Sequence, residues 1–354
     1  MDWYRKLSKV KIVLLMLTIG LAVSVRSEAL EVPQARLSVP GCNDCYIPYL
    51  ANYPLDENND KIEHVILANH SSSYDARMVF NDCLSLLKFQ SGAESRTLIV
   101  APQFLTKEFV KDINDPNLLF WKVDPFRGSA FSTTAGSGKD MKISAYAILE
   151  DIVLRVATKK TFPNVKRITI LGHSAGGQLV NRFAASNTVE FDVLRPAGIK
   201  CRYIVMNPSS YVYMNPKRYV EGSEGIFAVP KPEEIKKDET GYNEYGYGLE
   251  KLYVYHKAKG LTAEKIRQMY PKRNVIYMLG EKDCVPDAAM SINPSAMLQG
   301  RNRLERGRIY FRHLIDEFGP EIKETQKLVI VPQAGHSGKQ MILSEQGRVH
   351  ILKP

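Results

Sequence analysis

Short apolar runs alternate with amphipathic stretches along most of the chain. Six runs are typical of buried strands because they are apolar and rich in β-branched residues; they cover 63–68, 97–101, 165–171, 203–206, 274–279 and 327–331. Helical spacing of apolar residues predicts helices over 143–157, 179–185 and 303–318, and the start of a last helix at 339–343. Strands separated by helices indicate an α/β fold with a mostly parallel central sheet and helices on both faces.

Two regions interrupt this alternation. Residues 30–60 are rich in Pro, Asn and Asp, and we expect an N-terminal lead-in that wraps the core. Residues 209–259 are rich in Tyr, Gly and Pro, and we expect a cap-like insertion over the C-terminal edge of the sheet. Ligands bind at that edge in open α/β sheets, so the insertion would shape a substrate pocket. The alternative is a surface excursion whose tyrosines pack for stability.

The first 29 residues resemble a secretory signal peptide. A basic start precedes the apolar run 12–23, and Val25-Arg26-Ser27 is a candidate cleavage site. The run is shorter than the roughly 20 residues of a membrane span, which favours a cleaved signal over an anchor. We therefore expect a secreted or periplasmic protein with no stable membrane span after cleavage, whose main domain is 61–354.

Composition narrows the class of protein further. The chain has 354 residues, of which 44% are hydrophobic, enough for one large α/β domain. Its net charge is +10, partly from the first segment, and no basic block with interleaved aromatic residues is present. Nucleic-acid binding therefore has little support.

The five cysteines include one Cys-x-x-Cys pair, Cys42 and Cys45. No second pair and no histidine pair completes a zinc site, and no thioredoxin-like pattern surrounds it. A local structural disulfide or unpaired thiols are favoured over redox catalysis. We predict no metal and no organic cofactor.

The segment 172–176, Gly-His-Ser-Ala-Gly, is the main candidate for chemistry. It lies between a predicted strand and a predicted helix, where a tight turn would lift Ser174 out of the backbone as a nucleophile. Small residues are required there because side chains would clash in so sharp a bend. The free N–H of Ala175, at the start of the helix, could hold a developing oxyanion.

A serine nucleophile needs a histidine base and a carboxylate that orients it. Asp283 follows the strand 274–279 and is the favoured acid, with Glu281 and Asp287 as competitors. His336 follows the strand 327–331 and is the favoured base. Its alternatives are His70, His173, His256 and His313.

A second oxyanion donor is expected from the loop after the strand that ends near Asn69. A backbone N–H of Ser71 or Ser72 could supply it, and Ser72 is favoured.

Taken together, these motifs resemble the α/β-hydrolase superfamily over roughly residues 60–345. The similarity is closer to a group of secreted or periplasmic, mostly uncharacterised serine hydrolases, some of them esterase-like or depolymerase-like. The group's His-Gly-x-x-x-Asp-Ala loop is matched by 70–76, its Leu-Gly-x-x-Asp acid loop by 279–283, its Gln-Gly-x-Asn-Arg-x-x-Arg-Gly helix entry by 299–307, and its Gly-His-Ser ending by 335–337. One departure is Ser71, where that group has glycine; a serine would be strained if the position required a positive φ.

The resemblance implies hydrolase chemistry without naming a substrate. We expect carboxylic ester hydrolysis through a Ser174–His336–Asp283 triad, on a small-molecule or polymeric ester. The alternatives are an amidase or peptidase with the same triad, and a non-catalytic binding protein on a hydrolase scaffold.

Overall fold

Eight strands form one central sheet in the computed structural model, which describes residues 32–113, 115–122, 132–134, 141–233, 235 and 241–353. In chain order they are β1 (Arg36–Val39), β2 (Cys42–Ala51), β3 (His64–Asn69), β4 (Thr97–Pro102), β5 (Arg167–His173), β6 (Lys200–Met206), β7 (Asn274–Gly280) and β8 (Gln326–Val331). Their order in the sheet is β1-β2-β4-β3-β5-β6-β7-β8. The six strands β4, β3, β5, β6, β7 and β8 run parallel to one another. Strand β2 is antiparallel to both β1 and β4. The predicted signal peptide lies outside the described residues.

The described α-helices of five or more residues are α1 (Ala76–Leu87), α2 (Ala145–Val156), α3 (Ala175–Ser186), α4 (Val254–Ala258), α5 (Ala263–Met269), α6 (Arg303–Phe318), α7 (Gly338–Leu343) and α8 (Glu345–Leu352). Short helical turns occupy Ala93–Arg96, Lys107–Val110, Glu190–Leu194, Tyr270–Lys272, Pro294–Met297 and Pro320–Glu324. Two small antiparallel pairs join Leu119–Trp121 to Ser132–Thr134 and Arg218–Tyr219 to Phe227–Ala228. Within these ranges, no helix combines the length and the apolar character that crossing a membrane requires.

The sheet separates two apolar cores, because successive side chains of a strand point to opposite faces. In β3, Val65 and Leu67 belong to the same apolar core as buried residues of α2, α3 and α6, whereas Ile66 and Ala68 belong to the core that includes residues of α1, α7 and α8. Both faces of the parallel strands are therefore covered, which explains why their sequences are almost continuously apolar. The prediction of a mostly parallel sheet with helices on both faces is confirmed.

The segment 30–60, predicted as an N-terminal lead-in without assigned strands, contributes β1 and β2 to the sheet. In β1, exposed and buried residues alternate, so the segment lacks the continuous apolar run of the central strands. The pairing shifts between Ser38, opposite Tyr46, and Val39, opposite Cys42, so β2 bulges at this point. A disulfide joins Cys42 to Cys45 across the bulge, as the local-disulfide interpretation expected.

Helix α1 was also missed, since the polar residues before it were interpreted only as a loop. Its N-cap is Asp75, whose carboxylate accepts a hydrogen bond from the Arg77 N–H. A polar residue that ends a loop and caps a helix is a recognised start signal.

Four of the eight tyrosines of the 209–259 segment are buried in the core: Tyr211, Tyr213, Tyr245 and Tyr255. Tyr211 stacks on Tyr310 of α6 with ring centroids 4.4 Å apart, and Tyr213 packs against the same ring and His313. The Tyr245 hydroxyl bonds to those of Tyr146 and Ser186, at 2.8 Å from each. At these positions the alternative interpretation, packing for stability, describes the tyrosines.

Close packing of α6 on β7 leads to a prediction at Gly307. A Cβ there would lie 2.4 Å from Cδ1 of Leu279 and 2.8 Å from the hydroxyl of Tyr211, and both side chains are fully buried. We expect Gly307→Ala to lower the free energy of unfolding by about 1–3 kcal/mol, because overpacking outweighs alanine's helix preference of about 1 kcal/mol. Urea unfolding measures this. Arg308→Ala, at the next and exposed position, is the control and should change stability by less than about 0.5 kcal/mol; a Gly307→Ala protein as stable as its parent would contradict the prediction.

Candidate active site

Ser174 occupies a sharp turn between β5 and α3. Its φ is 57° and its ψ is −118°, and its N–H donates to the carbonyl of Met206 at 2.9 Å. A Cβ on Gly172 would lie 2.3 Å from the carbonyl oxygen of Gly176, and one on Gly176 would lie 2.5 Å from that of Asn69. These are backbone atoms that cannot give way, so the turn requires glycine at both positions.

The structure brings Ser174, His336 and Asp283 together in one hydrogen-bonded row. His336 Nε2 lies 3.0 Å from Ser174 Oγ, and His336 Nδ1 lies 2.7 Å from Asp283 Oδ2. A carboxylate can only accept, so Nδ1 carries the proton and Nε2 is left to accept from the serine hydroxyl. Ser174 and Asp283 are 5% and 3% exposed, whereas the His336 side chain is 20% exposed. The arrangement can therefore take a proton from Ser174 at a point that solvent reaches.

Loops after adjacent parallel strands position the acid and the base. After β7, the Asp283 N–H donates to the Gly280 carbonyl, and the Asp283 carbonyl accepts from Leu304 N–H in α6, both at 3.1 Å. After β8, a turn from Gly335 to Ser337 presents His336. A Cβ on Gly280 would lie 2.6 Å from the carbonyl oxygen of Ala334, so the two loops touch where this glycine stands.

The competing carboxylates are engaged elsewhere. Asp287 accepts two hydrogen bonds from Arg303, at 2.7 and 2.8 Å, and these lower the pKa of Asp287 to about 2. Glu281 accepts from the backbone N–H of Gln333 at 2.9 Å.

The alternative histidines also have other partners. His256 Nε2 lies 2.9 Å from Ser186 Oγ in the buried core, and His313 Nε2 accepts from the Met214 N–H at 3.1 Å. His173 lies beside the row, with its ring centroid 4.5 Å from that of His336. Burial, followed by the charges of His336 and Arg303, lowers the pKa of His173 well below its usual value. His173 therefore stays neutral and supports the His336 ring by packing.

Asn207 is a site residue that the sequence analysis missed. Its Oδ1 accepts from the Gly280 N–H at 2.8 Å, and its Nδ2 donates to the Gly335 carbonyl at 3.3 Å. It stands directly after β6 with φ 44° and is fully buried. Asn207 thus ties the loop after β7 that carries Asp283 (the acid loop) to the loop after β8 that carries His336 (the base loop). The available signal was its position, since it is the first polar residue after the predicted strand 203–206.

The expected oxyanion donors lie on the strand-to-helix turn at Ser174 (the elbow) and on the loop that follows β3, the strand next to β5. Ala175 is the first residue of α3, and Ser72 lies in the loop that links β3 to α1. In the described part of the chain, neither backbone N–H donates to a protein acceptor. Ser71, whose substitution for glycine raised the question of strain, does not have a positive φ; in this loop Tyr74 does, at 58°.

His70 holds this loop against the sheet. Its Nδ1 lies 2.8 Å from the Ser71 carbonyl, and its Nε2 lies 2.9 Å from the Phe104 nitrogen. A carbonyl accepts and an N–H donates, so Nδ1 carries the proton and the ring is neutral. Burial lowers the pKa of His70 to about 4, which keeps the ring in this form at neutral pH. His70 is therefore a support of the loop rather than a base for Ser174.

Comparison with solved structures identifies the fold. A poly(aspartic acid) hydrolase from Sphingomonas sp. KT-1 aligns with a TM-score of 0.57 and 18% identity, over 92% of this chain and 100% of that one. A poly(3-hydroxybutyrate) depolymerase from Bordetella parapertussis aligns with a TM-score of 0.53 and 18% identity, over 88% of this chain and 87% of that one. No protein-family model and no curated sequence matches the chain significantly. The chain has the α/β-hydrolase fold, as the sequence motifs implied.

The neutral state of His70 predicts a contribution to pH-dependent stability. An unfolded histidine takes up its proton near pH 6.5, whereas folded His70 does so only near pH 4. Between these values the unfolded chain binds more protons, so lowering the pH favours unfolding. His70→Asn keeps a donor but does not titrate, and we expect it to lose about 3 kcal/mol less than the parent between pH 7 and pH 4.

Urea unfolding at both pH values measures the difference, and the other buried histidines contribute equally to both proteins. Equal loss of stability in the variant and the parent would show that His70 is not held neutral by the fold.

Proposed function

We propose that this protein is a secreted serine hydrolase that cleaves carboxylic esters through an acyl-enzyme intermediate. The observation that carries the proposal is the row of hydrogen bonds from Ser174 Oγ through His336 to Asp283, at 3.0 and 2.7 Å. Its placement supports the same conclusion, because the serine stands on a strand-to-helix elbow and the order along the chain is Ser, Asp, His.

In the proposed mechanism, Ser174 Oγ attacks the ester carbonyl while His336 Nε2 takes the hydroxyl proton. The N–H groups of Ala175 and Ser72 hold the oxyanion of the tetrahedral intermediate. His336 then gives the proton to the leaving alkoxide, and the C–O bond breaks to leave an acyl group on Ser174. Water, deprotonated by His336, attacks the acyl carbon; the bond between that carbon and Ser174 Oγ then breaks, His336 returns the proton to Oγ, and the acid is released. Asp283 keeps the proton on Nδ1 and stabilises the imidazolium that forms in each half of the reaction.

The proposed preference for esters over amides rests on the chemistry of the leaving group. An alkoxide is a better leaving group than an amide nitrogen, so the same machinery cleaves esters with less help from the general acid. The two solved structures point both ways, because one is named for an ester-linked polymer and the other for an amide-linked one. Matched ester and amide substrates with the same acyl group would distinguish the two activities.

We also propose export. The Cys42–Cys45 disulfide is typical of oxidising compartments, and the first 29 residues have the pattern of a signal peptide. N-terminal sequencing of the exported protein tests this, and an intact Met1 on the mature chain would contradict a cleaved signal.

Replacement of the nucleophile tests the proposed chemistry. We expect Ser174→Ala to lower kcat/KM on short-chain aryl esters by about 10³-fold or more, because no other group in the row can form the acyl-enzyme. The parent should also be labelled covalently by a fluorophosphonate probe, and the variant should not. A folded parent that neither turns over esters nor reacts with the probe would favour a non-catalytic binding role.

The Ser72 N–H can be tested separately from its side chain. Ser72→Pro removes the N–H, and we expect kcat to fall about 10²-fold because one oxyanion donor is lost. Ser72→Ala keeps the N–H and is the matched control, with kcat expected within about 3-fold of the parent, since the Ser72 side chain is exposed. Equal losses in both variants would assign the effect to the hydroxyl instead.

A further inference from the structure

Arg303 is a buried cation in contact with Asp283, the acid of the Ser174–His336–Asp283 row. It is the first residue of α6, and its side chain has no exposed surface. One guanidinium nitrogen lies 3.4 Å from Asp283 Oδ1 and 2.8 Å from Asp287 Oδ2, and the other terminal nitrogen lies 2.7 Å from Asp287 Oδ1. The two oxygens of Asp283 are therefore divided, with Oδ2 bound to His336 and Oδ1 facing Arg303.

The distances show how the charge of Arg303 is shared. The fork-shaped pair with Asp287 is short and doubly bonded, whereas the contact with Asp283 is long. Asp287 thus neutralises most of the positive charge of Arg303. Asp283 remains available to stabilise a positive charge on His336. Burying a guanidinium without a carboxylate partner would cost folding free energy, and the ion pair with Asp287 offsets that cost.

Other charged and titratable groups face this cluster from the elements around it. His173 packs on the His336 ring from β5 and is held neutral by burial. The Tyr211 hydroxyl is buried near Asp283 and stays protonated, because burial raises the pKa of Tyr211 well above its usual value. Arg306 lies one turn along α6 and is bound to the carbonyls of Gly300 and Ser209. Glu281 is bound to the base loop through Gln333.

We infer that Arg303 and Asp287 are positioning residues that act as a charge-balanced pair and set how strongly Asp283 stabilises the protonated form of His336. The inference rests on the proposed function, since it concerns the same Ser174–His336–Asp283 row. Removing either member leaves an unbalanced charge next to Asp283, and the sign of that charge differs between the two cases. A pair that merely fastened the 283–287 loop to α6 would not produce opposite electrostatic effects.

The test is the pH dependence of kcat/KM for an aryl ester in four proteins: the parent, Asp287→Asn, Arg303→Gln and the double variant. Asp287→Asn leaves Arg303 unbalanced, which disfavours the imidazolium, so the acid limb of the profile should move about 0.5–1 pH unit lower. Arg303→Gln leaves Asp287 unbalanced, which favours the imidazolium, so the limb should move by a similar amount to higher pH. The double variant restores the charge balance, and its limb should return to within about 0.3 pH unit of the parent.

Arg303→Lys separates charge from geometry. It keeps the positive charge and loses the two-pronged bond, so we expect a lower kcat with an acid limb close to that of the parent. Single variants whose limbs shift in the same direction, or do not shift, would overturn the inference and leave a purely structural pair. Far-UV circular dichroism at each pH confirms that the folded protein is being measured.

A second readout does not need turnover. The resonance of the His336 ring proton on Nδ1, assigned by its loss in His336→Gln, can be followed by NMR as a function of pH in the same four proteins. Opposite displacements of its titration in the two single variants would support the inference even if the parent hydrolyses no ester. An active parent with identical titrations in all four proteins would instead refute the inference and leave the proposed function intact.

Discussion

The backbone contacts around Ser174 are the constraint on which the rest of the structure depends. The residue has a positive φ in a turn so close-packed that added Cβ atoms on Gly172, Gly176 and Gly177 would lie 2.3–2.6 Å from backbone oxygens. Those oxygens belong to Gly176 in the first turn of α3, to Asn69 and His70 at the end of β3, and to Met206 at the end of β6. The elbow therefore fixes its two neighbouring strands as well as the serine. Because these contacts join backbone to backbone, the position of Ser174 relative to the Asn69 and His70 backbone does not depend on flexible side chains.

The loops that carry Asp283 and His336 also meet backbone to backbone, at Gly280 and through the Lys282 N–H, which donates to the Ala334 carbonyl at 2.8 Å. Buried polar side chains add further hydrogen bonds at this edge of the sheet. Asn207 bonds to both loops, and His70 performs the same task for the loop that carries Ser72. Such side chains stabilise a single arrangement strongly, because each unpaired buried group would cost about 1–3 kcal/mol. Apolar packing positions the sheet, whereas hydrogen bonds of defined direction position the groups at its edge. The division follows from chemistry, since apolar contacts are not directional enough to aim an imidazole at a hydroxyl.

The sequence predicted a structural element correctly where a single local pattern of residues was sufficient to determine it. The central strands were predicted because burial on both faces leaves a continuous apolar run, and the elbow because glycine is required at both sides of Ser174. Strand β1 at the edge of the sheet and its neighbour β2 were missed because both are partly exposed and carry no such run. Asn207 and Arg303 could not be assigned a role because their contacts lie 73 and 20 residues away along the chain, at Gly280 and Asp283. Which polar residue meets which loop depends on strand order and helix packing, and no single window of sequence contains that information.

The environment of His336 shows why residues outside the row belong to the site. In the proposed mechanism, the imidazolium that forms when His336 takes a proton is stabilised by Asp283 and would be destabilised by neighbouring cations. Among the described residues, His173 and Arg303 are basic side chains beside this row, and the fold limits the charge of each in a different way. His173 packs directly against the ring and is kept uncharged by burial, whereas Arg303, which cannot lose its proton, is paired with Asp287. A hydrogen-bonded row of three residues is therefore an incomplete description, because its electrostatics are set by groups that make no contact with Ser174.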